Sequence, residues 1–449
     1  PIYSWPNLID RFGIYFHRPS PKYCGVHCSL MDFTIARFFD NIKFGDMTRA
    51  DYAFTLEYCT AMSDVFDIES KRRDRSVEQL SNYLGHSIKR EMIGTGNICT
   101  DGSIFTPCGG NVLNMAMVLN IEVKNELGKG DCSAPEQGVA YYCNAIAWNV
   151  TEHAQERSTC PALLISLCGP YLSVSVVTYG KNIAVDPVTP LLSLLVLPQD
   201  RSMMESSARA LAATKRCVSE LVDFYHSLPA TAVEGAREAT ETIPPQLHFP
   251  YPRKLLGGTI EFRYIQRIFD DKLLFAVELT RVHEAAVEEY GVEVGTVIIV
   301  KFARSYCPEA HQVCYKAHRS APRLYGCEQL AGGWKLVAME YLRDAVPLKP
   351  RQNVSVDTSN KLRAAVAAVH DAGYVHGDLR ECNILVCGGG LRLCVIDFDW
   401  SGKEGVQRYP TFMNHADINW AEGAEDGQPL RKQHDLHFLN LLVKTPMLH

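Results

Sequence analysis

The sequence predicts two domains in series, an α/β domain followed by a compact, bilobal α+β domain. Three observations lead there. The chain has 449 residues, 47% hydrophobic and 21% charged. That is globular composition, with length for two or three cores at roughly 100–200 residues per domain. Residues 229–252 are poor in large apolar side chains and hold Pro244, Pro245 and Pro250, so they read as a connection between 1–228 and 253–449. Strand-like runs lie on both sides of it. Before the connection they lead into one long helical pattern, and after it three of them come in succession.

Composition narrows the classes of function. The formal net charge is −6, so no global basic field advertises nucleic acid, and any such site must be a local patch. Sixteen cysteines without regular spacing read as reduced thiols of a protein inside cells, used as small buried hydrophobes. Cys24-Gly-Val-His27-Cys28 has no second ligand pair at a zinc-like spacing. No run approaches the ~20 apolar residues of a membrane span, so no membrane partner is expected. The sequence begins at Pro1 without a methionine, which leaves room for an upstream signal.

Taken in order, the first domain has its core at about 50–200. Ala162–Leu167, Leu172–Tyr179 and Ile183–Val185 are apolar runs separated by Gly169-Pro170 and Gly180-Lys-Asn182, which read as candidate strands and turns. A closing helix at about 206–227 carries Leu211, Val218, Leu221, Val222 and Tyr225 on one face. After the connection, Ile260–Ile268, Leu273–Leu279 and Gly295–Phe302 read as strands. A short helix near Glu309, a strand Lys335–Tyr341 and a helix at about Ser359–Ala372 follow.

The chemistry of the second half lies just beyond that helix. The segment His370–Gly402 places Asp378 five residues before Asn383, and the apolar run Leu391–Ile396 delivers Asp397 to the end of a strand. Phosphoryl transfer needs this set: a carboxylate to accept the hydroxyl proton, and hard oxygen ligands, here Asn383 and Asp397, for magnesium. Upstream, Val297-Ile-Ile-Val-Lys301 presents one lysine on an apolar strand, where its ammonium can pair with nucleotide phosphates if a carboxylate holds it. Glu309 is the expected partner. Met339-Glu340-Tyr341 ends the next strand, and Glu340 and Leu342 are expected to offer backbone groups to adenine.

In this order and spacing the set resembles the eukaryotic protein kinase superfamily, from about Ile260 to the C-terminus. The resemblance implies ATP and Mg2+ as cofactors and a protein Ser/Thr hydroxyl, or the chain itself, as acceptor. It also implies that Asp435, in Lys-Gln-His434-Asp435, buttresses the catalytic loop from a later helix. The departures are specific. Ile260–Leu279 has no glycine-rich loop, His-Gly-Asp stands where His-Arg-Asp is usual, and Asp399 replaces the glycine after Asp-Phe. That last change restricts flipping of the segment. His-Gly-Asp also resembles the aminoglycoside and choline phosphotransferases. A small-molecule phosphotransferase and a pseudokinase serving as a regulatory module for a DNA-binding domain are therefore the alternatives.

The first half carries a second constellation. Val118–Asn125 reads as a strand with Glu122 and Lys124 on one face and Ile121 and Val123 on the other. Asp101 sits at a turn before the Val112–Val118 run, and Gln137 and Tyr141 are four apart on a predicted helix. An acidic pair beside a lysine suits metal-assisted phosphodiester hydrolysis, with Asp101 and Glu122 on the metal and Lys124 orienting water. The set resembles the PD-(D/E)xK nuclease superfamily, and Gln-x-x-x-Tyr its branch with lambda-exonuclease and RecB-type nucleases. The resemblance implies Mg2+, or Mn2+, and DNA as partner. It also implies a further metal-binding glutamate on an earlier helix, Glu69, with Glu78 as second choice. Lys71, Arg72, Arg73 and Arg75 form the one local basic cluster suited to a phosphate backbone.

A nuclease-like domain fused to such a kinase resembles the Crinkler-type effectors of oomycetes and fungi. That implies a cytotoxic role in the nucleus or cytoplasm of a host cell.

Overall fold

The architecture comes from a computed structural model, which describes residues 13–16, 25–93, 99–128, 133–148, 152–197, 199, 201–229, 245–348, 355–388 and 392–442. Most of the expected connection (230–244), Cys24 and Leu391 lie outside the described residues. The chain divides into two compact units, Pro1–Pro252 with Ala331–Gly333, and Arg253–Leu330 with Trp334–His449.

After a strand at Tyr15–Phe16 and one helical turn at Cys28–Met31, the first unit has helices α1 (Phe33–Phe44), α2 (Arg49–Met62) and α3 (Glu69–Leu84). Local chemistry sets their ends. The Asp32 side chain accepts the amide of Ile35, Thr48 and Asp51 form a reciprocal capping box, and α3 stops at Gly85, whose φ of 74° is left-handed.

Strands β1 (Tyr15–Phe16), β2 (Gly102–Cys108), β3 (Asn111–Lys124), β4 (Ala162–Cys168), β5 (Tyr171–Tyr179), β6 (Ile183–Pro187) and β7 (Leu192–Ser193) build one sheet. Its order is β1-β6-β5-β4-β3-β2, with β7 on β5. β3 and β4 pair in parallel, which requires a crossover, and α4 (Ala134–Trp148) lies on it. Asp101 belongs directly ahead of β2, and β2 runs antiparallel to β3 with Gly102 opposite Ile121. That register brings Asp101 to Glu122. α5 (Arg201–Ser227) buries Leu211, Val218, Leu221 and Tyr225 as one stripe. Among the described residues no helix is long and apolar enough to cross a membrane.

In the second unit, β8 (Lys254–Leu255), β9 (Ile260–Arg267), β10 (Leu274–Val282), β11 (Val297–Ala303), β12 (Leu324–Gln329) and β13 (Lys335–Glu340) form an antiparallel sheet. Its order is β12-β13-β11-β10-β9-β8. Helix α6 (Glu284–Tyr290) joins β10 to β11, and α7 (Pro308–Lys316) follows β11. Lys301 sits inside the sheet, opposite Leu274 on one side and Val337 on the other.

The rest is helical with short strands: β14 (Val346–Pro347), α8 (Val356–Asp371), β15 (Tyr374–Val375), β16 (Ile384–Cys387), β17 (Arg392–Val395), β18 (Gly402–Lys403) and α9 (Lys432–Leu442). β16 alternates buried Ile384 and Val386 with half-buried Leu385 and Cys387. Its pairing with β17 sets Ile384 opposite Val395. Asn383 and Ile396 therefore leave the hairpin at the same end, and the Ile396 amide donates to the Asn383 carbonyl at 2.9 Å. Asp397 is the next residue.

Candidate active sites

In the second unit, the loop between β15 and β16 carries Asp378 and Asn383. The Asn383 amide nitrogen donates to the Asp378 carbonyl at 2.9 Å and to its carboxylate at 2.7 Å. That nitrogen is committed, so the amide oxygen is the atom able to take a cation. Arg380 grips the same carboxylate with two nitrogens, Nη2 lying 2.9 Å from Oδ2. The hydrogen bonds to Asp378 hold the Arg380 guanidinium above its ordinary pKa, against burial.

The loop is anchored from two sides. Asp435 on α9 is buried and accepts the amides of His376 (2.7 Å) and Gly377 (2.9 Å), and it also bonds the His370 ring at 2.9 Å. The His376 ring reaches the Ile396 carbonyl at 3.1 Å, which links this loop to the segment bearing Asp397. Phe398 is buried between His311, stacked on it at 4.7 Å, and His376, edge-on at 5.0 Å.

Lys301 meets Asp397, but not the partner expected for it. Its ammonium lies 2.6 Å from Asp397 Oδ1 and 2.6 Å from Asp399 Oδ1. Among the described residues no ion pair joins Lys301 to Glu309, which is exposed in the first turn of α7. The reason is helical phase: the face of α7 turned inward carries Ala310, His311 and Cys314. Burial works to raise the Asp397 carboxyl, but the Lys301 charge overrides it and holds the group low. Burial and the neighbouring Asp397 push Asp399 up. The Lys301 ammonium is in turn held high by both carboxylates against its own burial. One lysine shared by two carboxylates leaves them titrating as a unit.

At the expected hinge, the Glu340 amide donates to the Arg323 carbonyl at 2.8 Å and its carboxylate accepts the Arg323 amide at 3.0 Å, which ties the end of β13 to the segment ahead of β12. Leu342 is half-buried and opens a turn closed by the Ala345 amide.

In the first unit the expected residues converge closely. Glu122 is wholly buried, with Oε1 bonded to Asn120 at 3.0 Å and Oε2 without a hydrogen-bond partner. Asp101 accepts the Val123 amide at 3.0 Å. Burial, and then the Asp101 charge, push the Glu122 carboxyl up to about 9. Lys124 donates to Gln137 at 2.8 Å, Gln137 to the Tyr141 hydroxyl at 2.8 Å, and that hydroxyl to the Cys99 carbonyl at 3.2 Å. Gln137 and Tyr141 thus form a relay that fixes where the Lys124 ammonium points.

Two expectations are corrected here. Glu69 opens α3 and lies near enough to Cys168 to help raise its thiol pKa, yet it does not complete a three-carboxylate set. Among the described residues no group of three or more His, Cys, Asp or Glu side chains is placed to hold a metal. A cation in either site would be held by one or two carboxylates and by phosphate oxygens, which is how Mg2+ is usually bound. The basic cluster also comes apart. Arg72 is buried, donates to the Met62 and Asp64 carbonyls at 2.7 and 3.0 Å, and stacks on Phe66 at 4.4 Å. Lys71 pairs with Asp67, and Arg73 pairs with Asp74 and approaches Asp101 at 3.9 Å. Arg75 and Glu78 are exposed.

No protein-family profile matches the chain, and no curated protein matches it in sequence. Among solved structures it is similar to the Cydia pomonella granulovirus kinase PK-1 at 14% identity and a TM-score of 0.31, over 41% of this chain and 69% of that one. It is also similar to vaccinia related kinase 3 at 13% identity and a TM-score of 0.30, over 41% and 64%. Both neighbours are kinases. Likenesses this distant carry no weight in the argument from residues.

Proposed function

We propose that the second unit is an ATP-dependent protein kinase acting on Ser/Thr hydroxyls, its own included. The observation that carries this reading is the convergence of Lys301, from the middle of one sheet, on Asp397 at the end of the β16–β17 hairpin, beside the bonded Asp378–Asn383 pair. Asp378 would orient the acceptor hydroxyl and take its proton, while Arg380 stabilises that carboxylate and offers charge to the transferred group. Lys301 would pair with nucleotide phosphates. Asn383 and Asp397 would hold Mg2+, which offsets phosphate charge when bound.

The test is transfer of label from γ-labelled ATP to the chain and to a general protein acceptor. The wild type should label protein, and Asp397→Ala should not, at an unchanged melting temperature. Label appearing only on added amino-alcohols would replace this reading with a small-molecule phosphotransferase. Nucleotide binding without transfer would replace it with a pseudokinase.

A second activity, metal-dependent cleavage of DNA, is favoured in the first unit by one feature. Glu122 Oε2 is buried without a partner beside Asp101, and a divalent cation there would satisfy it. Asp101 and Glu122 would hold Mg2+ or Mn2+, which polarises the phosphate and acidifies bound water. Lys124, fixed by Gln137, would orient the attacking water. Wild-type protein should nick supercoiled DNA with Mg2+ or Mn2+, and Glu122→Ala and Lys124→Ala should not. Intact DNA after incubation with the wild type would reduce this unit to a binding module. A cytotoxic effector role in the host nucleus or cytoplasm belongs to the same reading and rests on the pairing of the two activities.

A further inference from the structure

We propose that Asp399 is the residue that positions Lys301 for the nucleotide, doing so in place of a glutamate on the helix after β11. The inference rests on the phosphotransfer reading and adds a positioning residue to it.

The geometry is direct. Lys301 Nζ is bonded at 2.6 Å to each of two carboxylates, one from Asp397 and one from Asp399. Both come from a single tripeptide whose first residue has a left-handed φ of 69°. A glycine at 399 could supply no such contact.

Glu309 has no route to the same role. The start of α7 is tied down where the Cys307 amide donates to the Phe398 carbonyl at 3.1 Å. One turn further, His311 stacks on Phe398 with the ring planes 6° apart, and its two nitrogens bond the Tyr306 hydroxyl (2.7 Å) and the Pro322 carbonyl (2.8 Å). Turning α7 to bring Glu309 inward would break the stack and both buried hydrogen bonds. Glu309 instead accepts a weak bond from the Cys307 thiol at 3.5 Å.

Charge explains why two carboxylates are present. Asp397 is the magnesium ligand of the proposed reaction, and a dication drawn to it competes with Lys301 for its oxygens. If Asp397 were the only partner, Lys301 would lose its anchor when the nucleotide arrives. With Asp399 beside it, Asp397 can turn to the cation while Lys301 stays held and faces the phosphates. Before the cation binds, two negative charges share one ammonium, a surplus that the incoming metal relieves.

The full chain tests this with Asp399→Asn, Asp399→Glu and Glu309→Gln. The first readout needs no nucleotide: access of the Lys301 amine to an acylating reagent, followed by mass spectrometry. Labelling of Lys301 should rise several-fold in Asp399→Asn and stay at the wild-type level in Glu309→Gln. The second readout is the ATP dependence of phosphoryl transfer. For Asp399→Asn the KM for ATP should rise by about tenfold, the scale of one charge-assisted contact, with partial recovery in Asp399→Glu. Equal Lys301 labelling in wild type and Asp399→Asn, or a rise in Glu309→Gln as large as in Asp399→Asn, would overturn the proposal. Wild type that transfers no label would overturn the kinase reading alone, since amine access still reports what holds Lys301.

Discussion

Asp435 accepts the backbone amide of His376 at 2.7 Å across 59 residues of sequence, so the loop that carries Asp378 hangs from a helix formed far downstream. The carboxylate is buried and has Gly377 and the His370 ring as its other partners. Asp435→Ala should strand these groups and destabilise the second unit by about 3 kcal/mol or more. Asp435→Asn keeps one acceptor oxygen and should lose less. Urea unfolding followed by a probe in the second unit checks this, and an unchanged midpoint in Asp435→Ala would contradict the anchoring role.

Gly377 stands where arginine is usual in protein kinases, and here the backbone demands glycine. Its φ is 84°, and a Cβ would meet the Leu430 methyls at 3.1 and 3.2 Å. Gly377→Ala should therefore lower stability by about 1–2 kcal/mol, read as a drop in melting temperature. A neutral or stabilising result would mean that the loop relaxes freely.

Glu122 predicts an unusual pH dependence. Its folded-state pKa, about 9, lies above its ordinary 4.5. Between those values the folded chain holds a proton that the unfolded chain has released, so stability falls as pH rises through this window. Glu122→Gln removes the penalty. It should melt higher than wild type at pH 8, with the difference closing as pH falls toward 4. Mn2+ should raise the melting temperature of wild type and leave Glu122→Gln unmoved. A Glu122→Gln protein that melts lower at pH 8 would count against an unsatisfied carboxyl.

His311 gives the opposite sign in the second unit. Burial first, with His376 and Lys301 adding to it, depresses its pKa from 6.5 to about 4. The unfolded chain takes up the proton first, so the stability held above pH 6.5 is lost as pH falls toward 4. Thermal melts of wild type and His311→Phe between pH 7 and pH 4 check this. Phe keeps the stack on Phe398 but cannot be protonated, and should show a shallower loss. Parallel slopes would remove His311 as the cause.

Much of the fold was legible because its strongest signals are local. The alternation of β5 and the face of α5 each bury one side of one element, which periodicity reports directly, while β4 and the apolar run before Asp397 are short continuous apolar stretches buried on both faces. Helices α1 and α2 were not foreseen. α2 buries polar Asp51 and Thr55 as well as Tyr58 and Cys59, so its inward face is blurred in sequence. The capping pair Thr48 and Asp51 was the signal available for it.

The sites divide the same way. Asp378 with Asn383, and Glu122 with Lys124, lie close in sequence, so loop and strand geometry alone brings them together. Asp101 reaches Glu122 only through the β2–β3 register. Arg72 looked like a phosphate contact because charge is readable in sequence, while the carbonyls of Met62 and Asp64 that capture it are not.

Residue types and short spacings were thus sufficient to single out the candidate groups, because chemistry travels with the side chain and its nearest neighbours. Which carboxylate holds Lys301 was settled elsewhere. It depends on the rotational phase of α7, fixed by the packing of His311 on Phe398, 87 positions apart in the sequence. A helix turned by a fraction of a turn would have the same local pattern, and only close packing between distant segments selects one phase.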